Sequence, residues 1–139
     1  QSLKQKDVEL IMVGNYKKVE IVNALGYVSS EKLAELYSGA LALVYPSIYE
    51  GFGIPILEAF NCGCPVVTSN LSSMPEVGGK AAIYADPLSI SDIAEKIDYV
   101  LDLSSSKRKE LIEKGFSQAQ KFSWENTAKE TIKVYEELA

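Results

Sequence analysis

The sequence predicts an α/β fold, a Rossmann-like parallel sheet flanked by helices, on two observations. Short apolar runs alternate with amphipathic helical patterns in the first half of the chain, which is typical of a parallel sheet with crossover helices. Residues 40–45 are apolar without interruption, as expected of a strand buried on both faces. With 139 residues, 47% of them hydrophobic, the chain is long enough for one core, and we expect one domain.

Short apolar runs bounded by turn residues predict the strands. The first run ends at the turn residue Gly14, and Pro46 ends the apolar run at 40–45. The last strand is expected at an edge of the sheet. The predicted strands are residues 8–13, 19–24, 40–45, 65–68 and 82–84.

Helices are predicted where apolar residues recur with a helical period. Ser29 or Ser30 caps the first, which turns Leu33, Leu36 and Tyr37 to one face. A short element of unspecified type is predicted near 75–77. Later helical segments are predicted after 86, at 111–122 and from Ser123 to the last residue. The apolar face of the segment after 86 consists of Ile90, Ile93, Ile97, Val100 and Leu101.

Composition excludes several classes of function. A net charge of -5 without clustered Lys and Arg argues against a nucleic-acid partner. The sequence contains no histidine, which excludes Ser-His-Asp and Cys-His catalysis and His-ligated metals. Cys62 and Cys64 are too close for an ordinary disulfide and are expected to be packing residues. Since no apolar run is long enough to cross a bilayer, we expect a cytoplasmic protein without a transmembrane segment.

The stretch at 49–67, YEGFGIPILEAFNCGCPVV, has the most informative pattern. Pro55 fits the first helical positions, so the helix starts at Gly53 or Ile54. Glu50 then lies in the preceding loop and Glu58 in the first turn of the helix. Gly63 is placed to end this helix.

Neither Gly53 nor Ile54 offers a side-chain acceptor to cap the helix, which leaves the amides of Ile54, Ile56 and Leu57 without a local cap. At the carboxyl end of a parallel strand, such a helix start suits a phosphate. Water could equally satisfy these amides, and the helix dipole could favour Glu58 without any ligand.

Two carboxylates beside a phosphate are unfavourable unless they accept hydrogen bonds from hydroxyl groups or meet a cation. Glu50 and Glu58 therefore suggest a ligand that carries both a phosphate and a sugar.

The stretch also carries a family signature. Residues 45–59, in which seven residues separate Glu50 from Glu58, and residues 62–69 resemble the motif of retaining GT-B glycosyltransferases of family 4. Further matches are residues 10–14, 26–28, 75–79, 86–87 and 122–124.

The resemblance implies a two-domain enzyme in which a domain like this one binds the nucleotide-sugar donor. Glu50 would be catalytic, near the reaction centre, and Glu58 would accept hydrogen bonds from the ribose hydroxyls. The backbone of Gly51, Phe52, Gly53 and Ile54 would hold the sugar and the diphosphate. The segment Gly26, Tyr27 and Val28 would line the nucleobase, and Ser47 and Pro46 would shape the pocket wall.

The resemblance further implies a donor substrate but no cofactor and no metal, and the sequence contains no Asp-x-Asp. A glycan or lipid-linked acceptor would bind an amino-terminal domain that this chain does not contain. The full-length protein would be cytoplasmic or peripheral to the inner face of the membrane. The family's basic Arg–Lys pair and first strand have no counterpart here, so we expect a domain truncated at its amino end, with weak donor binding and no transfer by itself.

Residues 1–122 are interpreted as a partial nucleotide-sugar-binding domain. Residues 123–139 are expected to form a helix that packs on it or crosses to the missing domain, with Trp124 and Phe122 holding it in place. The predicted function is hexosyl transfer, of mannose or glucose, in glycan assembly. A non-catalytic nucleotide-sugar-binding module that partners another glycosyltransferase is the alternative, and an epimerase is less favoured because the chain has no histidine.

Overall fold

A computed structural model describes residues 8–15 and 22–138 of the chain. All strand pairs in this part are parallel, and helices flank them, which confirms the α/β fold class. The strands are β1 Ile11–Val13, β2 Asn23–Gly26, β3 Leu43–Tyr45, β4 Val66–Ser69 and β5 Ala82–Ala85. Residues 19–21 of the second predicted strand lie outside the described residues.

Hydrogen bonds divide the strands into two sheets, β1-β2 and β3-β4-β5, instead of the single sheet expected. Ile11 and Val13 of β1 are each 40% exposed, which is unusual for apolar residues of a parallel strand.

The fully buried strand is β4. The prediction that the strand at residues 40–45, which is β3, is buried on both faces was wrong. All four residues of β4 have no exposed surface, whereas the three residues of β3 are half-buried. The difference arises because β4 pairs with both β3 and β5, while β3 pairs only with β4 among the described strands. The prediction that β5 is an edge strand is confirmed.

The described residues form six α-helices. They are α1 Ser30–Gly39, α2 Ile54–Asn61, α3 Met74–Gly78, α4 Ile90–Leu101, α5 Ser105–Ala119 and α6 Trp124–Glu137. None of them is both long and apolar enough to span a bilayer. Ser29 caps α1 by accepting a hydrogen bond from the Lys32 amide, and Tyr37 of the predicted apolar face is buried.

Two helix predictions need correction. Ile90 was assigned to the apolar face of α4 but is 87% exposed, because it is the first residue of the helix and lies before the turn that packs on the sheet. The helix predicted at 111–122 is α5, which begins six residues earlier because the Ser104 side chain caps it by accepting from the Lys107 amide.

The core lies between the three-stranded sheet and helices α2, α3 and α5. Phe60, Ile56 and Met74 are its largest buried side chains. Helix α5 comes close to α2 at Gly115, where an added Cβ would lie 2.9 Å from the Phe60 ring. Burial on this side of α2 fixes the position of its first turn beside the β3 strand end.

The terminal helix α6 buries none of its residues. Trp124 is 84% exposed, so it does not hold this helix against the core as expected, because no apolar surface of the described residues covers it. Phe122 does pack inward, and its ring meets Phe52 edge-on at a centroid distance of 5.7 Å. The division of the chain at residue 122 stays a prediction.

Replacement of Gly53 by Ala should destabilise the fold by about 1–2 kcal/mol, because Gly53 has a φ of 107° and a Cβ there would lie 2.8 Å from Met74 Cε. Urea unfolding measures the change in the free energy of unfolding. Gly51→Ala is the matched control in the same loop, since Gly51 has no positive φ and no atom within 4 Å of an added Cβ. We expect the control to change stability by less than about 0.5 kcal/mol, and equal losses in the two variants would contradict the prediction.

Candidate functional site

The site predicted from the sequence lies at the carboxyl end of β3, in the loop that leads into α2. Gly53 is the N-cap residue of α2, Pro55 follows within the first two positions, and no side chain caps the helix, all as predicted. The Ile56 amide is not free, however, since it donates to the Gly53 carbonyl oxygen at 3.0 Å. The uncapped start therefore offers fewer amides to a ligand than expected.

The two carboxylates lie on different elements, as predicted. Glu50 is in the loop, and Glu58 is the fifth residue of α2. Glu58 is therefore in the second turn and not in the first, because the helix begins at Ile54. The favourable helix-dipole contribution expected for Glu58 is smaller at this position, since the dipole effect is concentrated in the first turn.

Hydroxyl groups of the protein hold the Glu50 carboxylate. Tyr45, the last residue of β3, donates its phenol hydroxyl to Glu50 Oε1 at 2.5 Å. Ser47 donates to the same oxygen at 2.9 Å. Burial, followed by the hydrogen bond and charge of Glu50, raises the pKa of Tyr45 to about 12.

Sequence reasoning missed the residues that hold the Glu50 main chain. Ser72 Oγ donates to the Glu50 carbonyl oxygen at 2.9 Å and accepts from the Glu50 amide at 3.3 Å. Ser73 Oγ donates to the same carbonyl oxygen at 3.2 Å. Ser72 adopts a left-handed conformation with a φ of 56°, which is uncommon for a residue other than glycine and indicates a local constraint. The available signal was a pair of serines just beyond the neighbouring strand, β4.

Glu58 also lies next to a tyrosine hydroxyl, but at a longer distance than that between Tyr45 and Glu50. Tyr37 of α1, which is buried, places its hydroxyl 3.4 Å from Glu58 Oε2, at the outer limit of a hydrogen bond. Burial, together with the nearby Glu58 charge, raises the pKa of Tyr37 above its ordinary value. Both carboxylates thus face a tyrosine from a preceding element of the fold.

The remaining predicted residues occupy two places. Gly51, Phe52 and Ile54 are exposed along the loop and the start of α2, while Gly53 is buried. Pro46 and Ser47 are half-buried where the loop leaves β3, and the Ser47 hydroxyl is directed to Glu50. The segment Gly26, Tyr27 and Val28 lies instead at the carboxyl end of β2, in the other sheet, where Tyr27 is 85% exposed.

In the part of the chain that the structure describes, hydroxyl donors, and not cations, contact the carboxylates of the site. Among the described residues, no ion pair includes Glu50 or Glu58, and no cluster of Cys, Asp and Glu could hold a metal. A carboxylate whose partners are hydroxyl groups can accept further hydroxyl donors. The arrangement therefore suits a polyhydroxylated ligand.

One of the two cysteines next to the site is a core residue. Cys62 and Cys64 are both free thiols. Cys64 is buried in the core, and burial raises its thiol pKa to about 11, which keeps it protonated and unreactive at neutral pH. The expectation that it is a packing residue is confirmed.

The raised pKa of Tyr45 predicts a loss of stability at alkaline pH. A phenol whose pKa is higher in the folded than in the unfolded state stabilises the fold fully below pH 10 and loses that contribution as pH rises to about 12. Urea unfolding between pH 9 and 11 should show a smaller loss for Tyr45→Phe than for the wild type. Tyr135→Phe, which changes an exposed tyrosine of α6, is the control, and identical pH dependence in all three proteins would refute the prediction.

Comparisons with known proteins identify the family of the chain and support its fold. Residues 2–118 match the sequence model of the family described as glycosyl transferases group 1. The chain is 48% identical over 117 residues, 84% of its length, to O-antigen chain mannosyltransferase B of Escherichia coli. It spans only about 30% of the length of that relative.

Two solved structures resemble the fold. Sucrose-phosphate synthase from Thermosynechococcus elongatus superposes on 86% of the chain with a TM-score of 0.74 and 29% identity, and the chain covers 30% of it. A glycosyltransferase from Rickettsia africae superposes on 98% of the chain with a TM-score of 0.84, and the chain covers 41% of it; at 21% identity this match supports the fold alone. The match over residues 2–118 and the 48% identity to the Escherichia coli relative establish that the chain belongs to the glycosyl transferases group 1 family.

Proposed function

We propose that this chain is the donor-binding part of a retaining glycosyltransferase that moves a hexose from a nucleotide sugar to a glycan or glycoconjugate. The observation that carries the proposal is the state of Glu50. Its carboxylate is held by two protein hydroxyls and has no cationic partner among the described residues, next to a helix start that no side chain caps. A sugar diphosphate supplies hydroxyl groups for the carboxylate and an anion for the helix start.

Each part of the donor has a proposed place. Glu50 contacts the sugar near the bond that breaks, and Glu58 accepts hydrogen bonds from the ribose hydroxyls. The exposed backbone of Gly51, Phe52 and Ile54 faces the diphosphate, which Gly51 allows to come close because its Cα carries no side chain. The segment 26–28 lies along the base.

The hexose is proposed to be mannose, on the similarity to a protein named as an O-antigen chain mannosyltransferase. The acceptor then belongs to a growing polysaccharide and binds a second domain, since this chain spans less than a third of that relative. Retention of the anomeric configuration is proposed to follow from departure of the diphosphate on the face where the acceptor enters.

Glu50→Ala in the full-length protein should lower kcat by about 100-fold or more, because contacts at a reacting centre contribute about 10²–10³ in rate. Glu58→Ala should instead raise the KM of the donor by about 10- to 100-fold, as expected for a lost hydrogen bond to a charged group. Initial rates with GDP-, UDP- and ADP-hexoses measure both constants. Glu113→Ala, an exposed glutamate of α5, is the control, and a Glu50 variant as active as this control would refute the site.

Gly51→Ala should weaken donor binding by about 10-fold while leaving the fold intact, since an added Cβ points into the open space proposed for the diphosphate. Isothermal titration of the full-length protein with the preferred nucleoside diphosphate measures the affinity. Gly39→Ala has the same open surroundings at the end of α1 and should bind as the wild type does. Equal affinities in the two variants would place the diphosphate elsewhere.

A further inference from the structure

Building on the function proposed above, we infer that Tyr45 is a positioning residue that occupies Oε1 of Glu50 and thereby presents Oε2 as the only oxygen of this carboxylate open to a hydroxyl of the donor sugar. The inference concerns which oxygen of Glu50 acts and what orients it. The spacing of Glu50 and Glu58 in the sequence predicts neither of these points.

The hydrogen bonds to Glu50 are unevenly divided between its two oxygens. Tyr45 and Ser47 both donate to Oε1, at 2.5 and 2.9 Å. A carboxylate oxygen has two acceptor positions, so these two donors fill Oε1. Oε2 has no hydrogen-bond partner in the described part of the chain. An incoming hydroxyl therefore meets Oε2.

Tyr45 is better suited than Ser47 to hold the carboxylate. A hydroxyl has one proton, and the Ser47 hydroxyl lies within reach of two acceptors, Glu50 Oε1 and the Tyr49 carbonyl oxygen at 3.2 Å. Within residues 8–15 and 22–138, the Tyr45 phenol has Glu50 as its single acceptor. The Tyr45 backbone is also fixed, because its carbonyl oxygen accepts from Thr68 Oγ1 of β4 at 2.8 Å.

The main chain of Glu50 is held independently of its carboxylate. Ser72 and Ser73 bind its amide and carbonyl groups from the loop after β4. Loss of the Tyr45 hydroxyl therefore frees the carboxylate to rotate while the loop stays in place. The expected consequence is a defect in the chemical step and not in folding or in donor capture.

The test uses the full-length protein with Tyr45→Phe, Glu50→Gln and the double variant. Tyr45→Phe should lower kcat by about 10- to 100-fold, the range for a hydrogen bond to a charged group, with the donor KM changed less than about 3-fold. The control is Tyr84→Phe. It removes the hydroxyl of a half-buried tyrosine on β5 that donates to the Gly79 carbonyl oxygen at 2.7 Å, and it should keep the wild-type rate.

The double variant distinguishes an effect of Tyr45 through Glu50 from a general effect of Tyr45 on the structure. If Tyr45 acts through Glu50, the double variant is no slower than Glu50→Gln alone, because residues that act as a unit are not additive. Rate losses that multiply in the double variant would overturn the inference. So would a Tyr45→Phe enzyme with the rate of Tyr84→Phe.

A spectroscopic arm distinguishes failure of this inference from failure of the proposed function. With ¹³C at the tyrosine Cζ position, Glu50→Gln should shift the Tyr45 resonance at neutral pH and leave that of Tyr84 unchanged. If the wild type transfers no hexose from any nucleotide sugar, the proposed function fails. The spectra then still show whether Tyr45 contacts Glu50, because they do not depend on activity. An unmoved Tyr45 resonance would overturn it.

Discussion

The complete burial of β4 is the constraint on which the site depends. Val66 to Ser69 are closed off by β3 on one side, β5 on the other and helices above. Thr68 additionally ties its hydroxyl to the Tyr45 carbonyl oxygen, so the carboxyl ends of β3 and β4 stay level. The loops that leave these two strand ends are then close enough for Ser72 to bind the Glu50 main chain. A shift of β4 along the sheet would separate the two loops.

Sequence patterns predicted those parts of the site that depend on backbone restrictions. The start of α2 could be located from Gly53 and Pro55, because each limits the conformations that the chain can adopt. The support from Ser72 could not be predicted, since it joins residues 22 positions apart and depends on strand register. The exposed Ile90 and Trp124 were misassigned for a related reason: an apolar residue in a helical pattern indicates a possible contact, and only the fold decides whether a partner is there.

Hydroxyl donors stabilise Glu50 without neutralising it. A lysine or arginine in the place of Tyr45 would form an ion pair and reduce the ability of the carboxylate to accept a ligand hydroxyl. Tyrosine and serine are neutral donors and bring no positive charge to the carboxylate. A carboxylate without a cationic partner accepts a strong hydrogen bond from a hydroxyl group but repels a phosphate. The relative positions of the carboxylate and the helix start therefore determine where a hydroxyl group and where a phosphate can bind.

The division into two sheets has a consequence for the solution behaviour of this domain. Among the described strands, four have one side without a hydrogen-bonded neighbour, namely β1, β2, β3 and β5. Unpaired amide and carbonyl groups along a strand, next to exposed apolar residues such as Ile11 and Val13, form a template for pairing with another chain. Strand edges of this kind favour concentration-dependent association between chains, and a segment that covered them would suppress it.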